Sequence, residues 1–221
     1  PRTGPRAAVG PLPGAHFLNV RVAAPGSPRA RALRRAVLPQ STSIAFPFNV
    51  LELVRLGLTA GLATTDPEEG DRIVLSAISR VGLDGYEARM VQNLSGGERQ
   101  RAQMARVLVQ IWQPVLEGQP RWLMLDEPVS ALDIRHQLTL MRLAQDYAKG
   151  GGGVIAVMHD LNLTAMFADQ VCLLYAGKVR RSGAPADVFN DQDLSACYHC
   201  PVRVNTPPPV GGPWLLPQSM G

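Results

Sequence analysis

Three short apolar runs constrain the fold of this chain more than any other feature of its sequence. The runs are Ala36–Leu38, Trp122–Leu125 and Val154–Met158, and a proline, an acid or a histidine follows each of them directly. A short unbroken apolar run is typical of a strand that is buried on both faces. We therefore predict an α/β fold with a mainly parallel sheet that helices cover.

The segments around these runs have the apolar spacing of amphipathic helices. Asn49 stands where a helix N-cap belongs, and residues 60–70 are predicted to form a polar loop. A hairpin is predicted over residues 171–181, and the Pro- and Gly-rich tail from Pro201 is predicted to pack loosely. The predicted helices are Val50–Leu56, Ile73–Val81, the stretch from Ser95 to about Ile111, Ile134–Ala148 and Leu161–Ala168.

The net charge of +4 is distributed unevenly along the chain. Residues 1–51 hold seven arginines and no acid, or +7, whereas the remainder holds 15 basic and 18 acidic residues, or −3. The basic character therefore belongs to the N-terminal segment and not to the main body of the chain. We therefore expect no nucleic-acid partner.

Residues 1–32 differ from the rest of the chain, because Pro, Gly, Ala and Arg dominate them without a sustained period. We expect this atypical segment to be weakly ordered and residues 33–221 to form the domain. No apolar run is long enough to cross a bilayer, and we expect no signal peptide or lipid anchor.

The chain has three cysteines, which is typical of a protein from a reducing compartment. The stretch Cys197-Tyr198-His199-Cys200 looks like half of a metal site, but no second CxxC or spaced His pair completes it. We expect reduced cysteines on a surface element.

Two acids follow the second apolar run directly. Asp126 and Glu127 come after Trp122–Leu125, at the predicted end of a buried strand. In nucleotide hydrolases built on such a strand, the first acid holds Mg²⁺ and the second polarises the attacking water. The alternative is a strand end with two solvated acids, and the pair alone does not decide between them.

A second motif begins a predicted helix at Leu94-Ser95-Gly96-Gly97-Glu98-Arg99-Gln100-Arg101. Free backbone N–H groups and a hydroxyl at a helix N-terminus attract anions, and two glycines let a phosphate approach closely. The same residues also fit an ordinary capping box between Ser95 and Glu98. Both interpretations can hold together.

This octapeptide resembles the signature motif of ABC-type ATPases, and other elements follow in that family's order. Ser130-Ala131-Leu132-Asp133 resembles the D-loop, His159 the switch histidine and Gln40 the Q-loop glutamine. The resemblance implies a P-loop NTPase-like core with a helical subdomain at about residues 42–112.

Further stretches resemble the haemin-import branch of the iron-chelate and cobalamin importer ATPases, so that the likeness covers roughly residues 33–221. They are residues 35–48 (RAVLPQSTSIAFPF), 50–57 (VLELVRLG), 175–178 (YAGK), 184–189 (APADVF), 202–205 (VRVN) and 213–218 (PWLLPQ).

One element of the family's pattern does not occur in residues 1–221. No G-x-x-x-x-G-K-[ST] phosphate loop (Walker A) is found, and the one Gly-Lys pair, Gly177-Lys178, is followed by Val179. We therefore expect the N-terminal part of the cassette to be incomplete, and ATP binding and turnover to be impaired in the chain as it stands.

The resemblance implies two cassettes that pair head to tail around ATP and Mg²⁺. Catalytic roles fall to Glu127, His159 and Gln40, and the metal goes to Asp126 with Gln40. The ATP held by the partner cassette would be contacted by Ser95, Gly96, Gly97, Glu98 and Asp133.

The resemblance also implies partners and a location. We expect a homodimer on two membrane permease subunits at the cytoplasmic face of a bacterial inner membrane, served indirectly by a periplasmic haem-binding protein. The exposed segment Ser41–Asn49 would dock on the permease.

Other functions stay open. The cargo could be cobalamin or a ferric siderophore, and the chain could be a catalytically dead remnant that only binds the permease. A DNA-repair or translation ATPase is disfavoured, because only 53 residues without sustained heptads separate Gln40 from Leu94.

Overall fold

The computed structural model forms two compact units, which we describe separately. The first comprises residues 33–167 with 215–219, and the second residues 168–208 with 211–213. The expectation of weak order for residues 1–32, and most of the predicted docking segment, lie outside the described residues. Those residues are 33–40, 46–61, 64, 66–208, 211–213 and 215–219.

Seven strands occur in the described residues, and three of them build the predicted parallel sheet. Its order is β1-β4-β5, with β4 in the centre and both pairings parallel. The strands are β1 (Arg35–Leu38), β2 (Val115–Leu116), β3 (Gln119–Pro120), β4 (Trp122–Asp126), β5 (Gly153–Val157), β6 (Val171–Tyr175) and β7 (Lys178–Gly183).

The helices confirm most of the predicted segments and extend two of them. Asn49 and Glu52 form a capping box at the first helix, since each side chain accepts the backbone N–H of the other. The predicted loop over residues 60–70 is too long, because Asp66 caps a helix that begins at Pro67. The helices are α1 (Val50–Gly61), α2 (Pro67–Arg80), α3 (Gly96–Gln110), α4 (Ile134–Lys149), α5 (Leu161–Phe167), α6 (Pro185–Val188) and α7 (Asp191–Tyr198), with 3₁₀ turns at Val91–Asn93 and Pro217–Ser219.

The core of the first unit lies between the sheet and helices α1 to α5. Helices α1 and α3 lie in close contact at Gly57, where a Cβ would stand 2.3 Å from the carbonyl oxygen of Arg106. Only glycine fits at this crossing. The core of this unit contains fully buried apolar residues from the sheet and from helices α1, α2, α3 and α5: Leu38, Val54, Ile78, Met104, Leu123 and Leu163.

A buried arginine ties the start of the sheet to the end of α3. Arg121 is 2% exposed, and its guanidinium donates to the carbonyl oxygens of Leu33 (2.7 Å) and Gln110 (2.6 Å). The amide of Gln110 in turn donates to the carbonyl of Arg35 at 3.2 Å. This network fixes where β1 enters the sheet.

The second unit is the hairpin β6–β7 followed by α6 and α7. A bulge at Leu173/Leu174 breaks the hairpin register, and Arg180 and Arg181 both reach the buried Asp193. The tail is not loose at its start, because the amide of Val202 donates to Oγ of Ser195 at 2.9 Å. The three cysteines are free thiols: Cys172 is on the strand β6, Cys197 is in α7, and Cys200 follows that helix.

No helix within the described ranges is long and apolar enough to cross a membrane. The helical subdomain at about residues 42–112 stays a prediction.

Candidate functional site

The polar residues predicted from the strand ends come together at one edge of the sheet. Gln40 follows β1, Glu127 follows β4 and His159 follows β5. Since the three strands are parallel, their carboxyl ends lie at the same edge. The parallel strand order explains why Gln40 and His159 contact Glu127, although they lie 87 and 32 residues from it in the chain.

Both carboxylate oxygens of Glu127 are engaged. Nε2 of Gln40 donates to Oε2 at 2.7 Å, and Nε2 of His159 lies 2.6 Å from Oε1. The Glu127 side chain is 19% exposed, whereas that of His159 is 75% exposed. The carboxylate is therefore mostly buried, and the imidazole of His159 lies between it and the solvent.

The backbone of Glu127 holds an unusual conformation. Its φ is +47°, in the left-handed region that L side chains rarely adopt, and its N–H donates to the carbonyl of Val157 at 3.0 Å. Strained residues of this kind occur where the surrounding structure fixes a functional side chain. Here the bond to β5 fixes the direction of the carboxylate.

Asp126 is the last residue of β4 and stands opposite Val157 of β5. It is partly buried, and within the described part of the chain its carboxylate has no hydrogen bond or ion pair. An aspartate oxygen at a strand end with no protein partner is a hard ligand of the kind that Mg²⁺ prefers.

The signature motif adopts the predicted capping box at the start of α3. The amide of Glu98 donates to Oγ of Ser95 (3.2 Å), and the amide of Ser95 donates to Oε2 of Glu98 (2.8 Å). These bonds to Ser95 hold the pKa of Glu98 below its usual value. Ser95 and Gly96 are exposed, so the N-terminus of this helix is open to an anion.

The D-loop ends in a second helix cap. Oδ1 of Asp133 accepts the backbone N–H of His136 at 2.9 Å, which starts α4. Hydrogen bonds from the backbone and then the side chain of His136 lower the pKa of Asp133. The carboxylate is therefore charged at neutral pH.

The site residues form two groups in the structure. Gln40 and His159 both contact Glu127, beside Asp126. The signature loop meets the D-loop, because a Cβ on Gly97 would stand 3.0 Å from the carbonyl oxygen of Ala131, and Oγ of Ser130 in the D-loop donates to the carbonyl oxygen of Glu127 at 3.2 Å. The split between residues for the chain's own nucleotide and residues for the partner's stays a prediction.

The sequence analysis missed two residues next to the D-loop, His136 and Gln137. The Nδ1 atom of His136 contacts the Asp133 carboxylate, and the amide of Gln137 donates to the carbonyl oxygens of Leu132 in the D-loop and of Val129 just before it. Their positions in the first turn after a capping Asp could have indicated contact with that residue.

Comparison with known proteins places the chain among haemin-import ATPases. Relatives named hemin import ATP-binding protein HmuV include those of Jannaschia sp. strain CCS1 (61% identical over 188 residues) and Rhizobium meliloti strain 1021 (53% over 209). The matches cover 84% and 95% of this chain, and 67% and 79% of the two relatives. The HmuV of Roseobacter denitrificans is 49% identical over 216 residues, covering 97% of this chain and 81% of its own length. No family model matches the chain.

Solved structures support the fold. An inward-facing metal-chelate-type ABC transporter matches with a TM-score of 0.63 at 24% identity, covering 76% of this chain and 64% of its own. A dimeric ATP-binding cassette in a post-hydrolysis state, bound to ADP and phosphate, matches with a TM-score of 0.61 at 24% identity, covering 71% of this chain and 65% of its own. This chain thus spans less than two thirds of those two structures. The sequence likeness and the fold together show that the chain belongs to the hemin import ATP-binding proteins, a family of ABC-type ATPases.

Proposed function

We propose that this chain is the ATP-hydrolysing subunit of an importer that carries haemin across a bacterial inner membrane. The observation that carries the proposal is the Glu127 carboxylate, held between Gln40 and His159 at the ends of three parallel strands. The cargo is inferred from the relatives, which are named hemin import ATP-binding protein.

Each residue of this group has a distinct role in the proposal. Glu127 polarises the water that attacks the terminal phosphate, since a carboxylate can accept a proton from that water. Gln40 and His159 each contact one oxygen of Glu127, and the remaining lone pairs of that carboxylate can accept a hydrogen bond from the water. The His159 side chain is 75% exposed and can turn toward a phosphate.

Asp126 fits the role of magnesium ligand. Its carboxylate has no protein partner in the described residues, and no group of three or more His, Cys, Asp or Glu converges there into a metal cluster. Mg²⁺ is typically held by one or two protein groups together with substrate phosphates. Asp126 with the Gln40 amide oxygen would supply the protein share, and the ion would neutralise charge on the phosphates.

The second group of residues serves the nucleotide of a partner cassette. The exposed helix N-terminus at Ser95–Glu98, with Asp133 nearby in the D-loop, would contact phosphates bound to a second copy of the chain. We propose a homodimer on two permease subunits at the cytoplasmic membrane face, with a periplasmic haem-binding protein as an indirect partner. Residues 42–112 would form the subdomain that contacts the permease.

The missing phosphate loop limits what residues 1–221 do alone. We propose that they bind Mg-ATP weakly and do not turn it over, and that activity needs a phosphate loop. A remnant that only binds the permease is the second candidate function, favoured by the same absence.

Reconstitution with the permease tests both candidates. The chain, alone and extended by a phosphate loop, is assembled with permease in vesicles, and ATPase activity is measured with a binding protein loaded with haemin, cobalamin or a ferric siderophore. Stimulation of the extended chain by haemin alone supports the proposal. Stimulation by another cargo overturns the haemin assignment, and permease binding without activity in the extended chain supports the remnant.

A further inference from the structure

One side chain holds the D-loop aspartate. Nδ1 of His136 lies 2.8 Å from Oδ2 and 2.9 Å from Oδ1 of Asp133, and the backbone N–H of His136 binds Oδ1 as well. The imidazole is 28% exposed, whereas the carboxylate is 66% exposed. Because an ionised carboxylate only accepts, Nδ1 must carry the proton in this contact.

A neighbouring side chain holds the rest of the loop. The amide of Gln137 donates to the carbonyl oxygens of Val129 (3.3 Å) and Leu132 (3.0 Å). The backbone N–H of Leu132 also donates to the carbonyl oxygen of Val129 (3.1 Å). Gln137 of α4 thus binds the turn that precedes Asp133. Its neighbour His136 binds the Asp133 carboxylate, so two consecutive residues of α4 hold the D-loop.

The same part of α4 lies beside the signature helix, α3. His136 and Arg101 of α3 line one cavity of about 10 Å³, which holds at most one water. Arg101 donates to the carbonyl of Val81 at 3.0 Å, where α2 ends. At the helix start, Gly97 touches the backbone of Ala131.

We propose that His136 is a positioning residue that holds the Asp133 carboxylate in the direction it needs to meet a nucleotide on a partner cassette. Gln137 and the Gly97–Ala131 contact join the D-loop to the signature loop, so that both reach the partner as one unit. This inference rests on the proposed function for the assignment of Asp133 to the partner's ATP. The contacts themselves are independent of it.

The imidazole tautomer gives the first test. The chain has four histidines, so that ¹⁵N-labelled imidazoles of residues 1–221 can be assigned by single substitutions. At about pH 8.5, where imidazole is normally neutral, we expect His136 to carry its proton on Nδ1. Asp133→Ala should shift it toward the Nε2–H form, whereas Asp160→Ala, which removes the matching cap of α5, should leave it unchanged. An Nε2–H tautomer in the unsubstituted chain overturns the proposal.

Hydrogen exchange of the Leu132 amide gives the second test. His136→Ala should speed this exchange at least about fivefold through local opening. His136→Asn, whose side-chain N–H₂ can replace Nδ1–H, should restore it. Thr139→Ala alters the same cavity without touching Asp133 and serves as the control.

An unchanged Leu132 rate in His136→Ala, or no rescue by asparagine, overturns the positioning role. Hydrogen exchange of the amides in the second turn of α4 is measured as well, because faster exchange there would indicate a general loss of folding. Neither test contains nucleotide. Failure to hydrolyse ATP would therefore count against the proposed function, and failure here would count against His136 alone.

Discussion

Nε2 of His159 lies 2.6 Å from Oε1 of Glu127, although 32 residues separate the two in the chain. The contact exists because β4 and β5 are adjacent and parallel, with Asp126 beside Val157 in the register. The residues that come just after these two strands therefore lie next to each other at the same edge of the sheet. The pair thus follows from strand order.

The first prediction concerns Glu127→Gln in a chain extended by a phosphate loop. The amide has the same shape but cannot accept the proton of an attacking water. We expect the rate of phosphate release to fall by roughly 100- to 10,000-fold, the usual contribution of a general base. Glu117→Gln, in the exposed turn between β2 and β3, is the control. Unchanged activity in Glu127→Gln would remove Glu127 from its role.

The second prediction concerns nucleotide binding by residues 1–221. Each hydrogen bond to a charged phosphate is worth roughly 1.5–3 kcal/mol. Losing three of them and the lysine charge would cost about 5–9 kcal/mol, or several powers of ten in affinity. We expect isothermal titration with Mg-ATP to show no micromolar binding, while a cassette with its phosphate loop binds under the same conditions. Micromolar affinity for residues 1–221 contradicts the prediction.

The sequence analysis succeeded where a local pattern determines the structure. Unbroken apolar runs located β4 and β5, and Asn49 marked the start of α1, because burial on both faces and helix capping depend on nearby residues. The analysis was less reliable where contacts between residues distant in sequence determine the structure. Helix α7 was missed, since its short polar sequence has little periodicity and its Asn190 cap resembles a loop residue.

Long-range polar contacts explain the remaining misses. Nothing near Arg121 in the sequence indicates that this arginine is buried, because its partners Leu33 and Gln110 come from other elements. The contact between Gly97 and Ala131 is equally invisible in the sequence. The site residues could be named from motifs, but their division into two groups needed the three-dimensional structure.

The third prediction concerns Arg121→Met, which keeps the length of the side chain and removes its donors. Burial lowers the pKa of this guanidinium, so part of the loss is offset by relief of its desolvation. The carbonyls of Leu33, Gln110 and Gln113 lose a charged donor, and we expect the free energy of unfolding to fall by about 2–4 kcal/mol. Urea unfolding followed by circular dichroism measures it. Arg142→Met, on the exposed face of α4, should change stability little, and an equally small effect at Arg121 would contradict the prediction.

The fourth prediction concerns acid stability of the second unit. Hydrogen bonds from Asn190, then Arg181, with a further one from Arg180, lower the pKa of Asp193 to about 2. An aspartate in an unfolded chain titrates at about 3.9. The ionised form therefore stabilises the fold above about pH 4, and this contribution is lost as the pH falls toward 2.

Asp193→Asn removes the charge but keeps a side chain of the same size. We expect the variant to be less stable than the unsubstituted chain at pH 6, with the difference shrinking between pH 4 and about 2. Urea unfolding at a series of pH values, with a probe on the hairpin β6–β7, measures it. Asp169→Asn, an exposed aspartate of the same unit, is the control. A difference between Asp193→Asn and the unsubstituted chain that stays constant from pH 6 to 2 would show that packing, and not the ionised carboxylate, stabilises this unit.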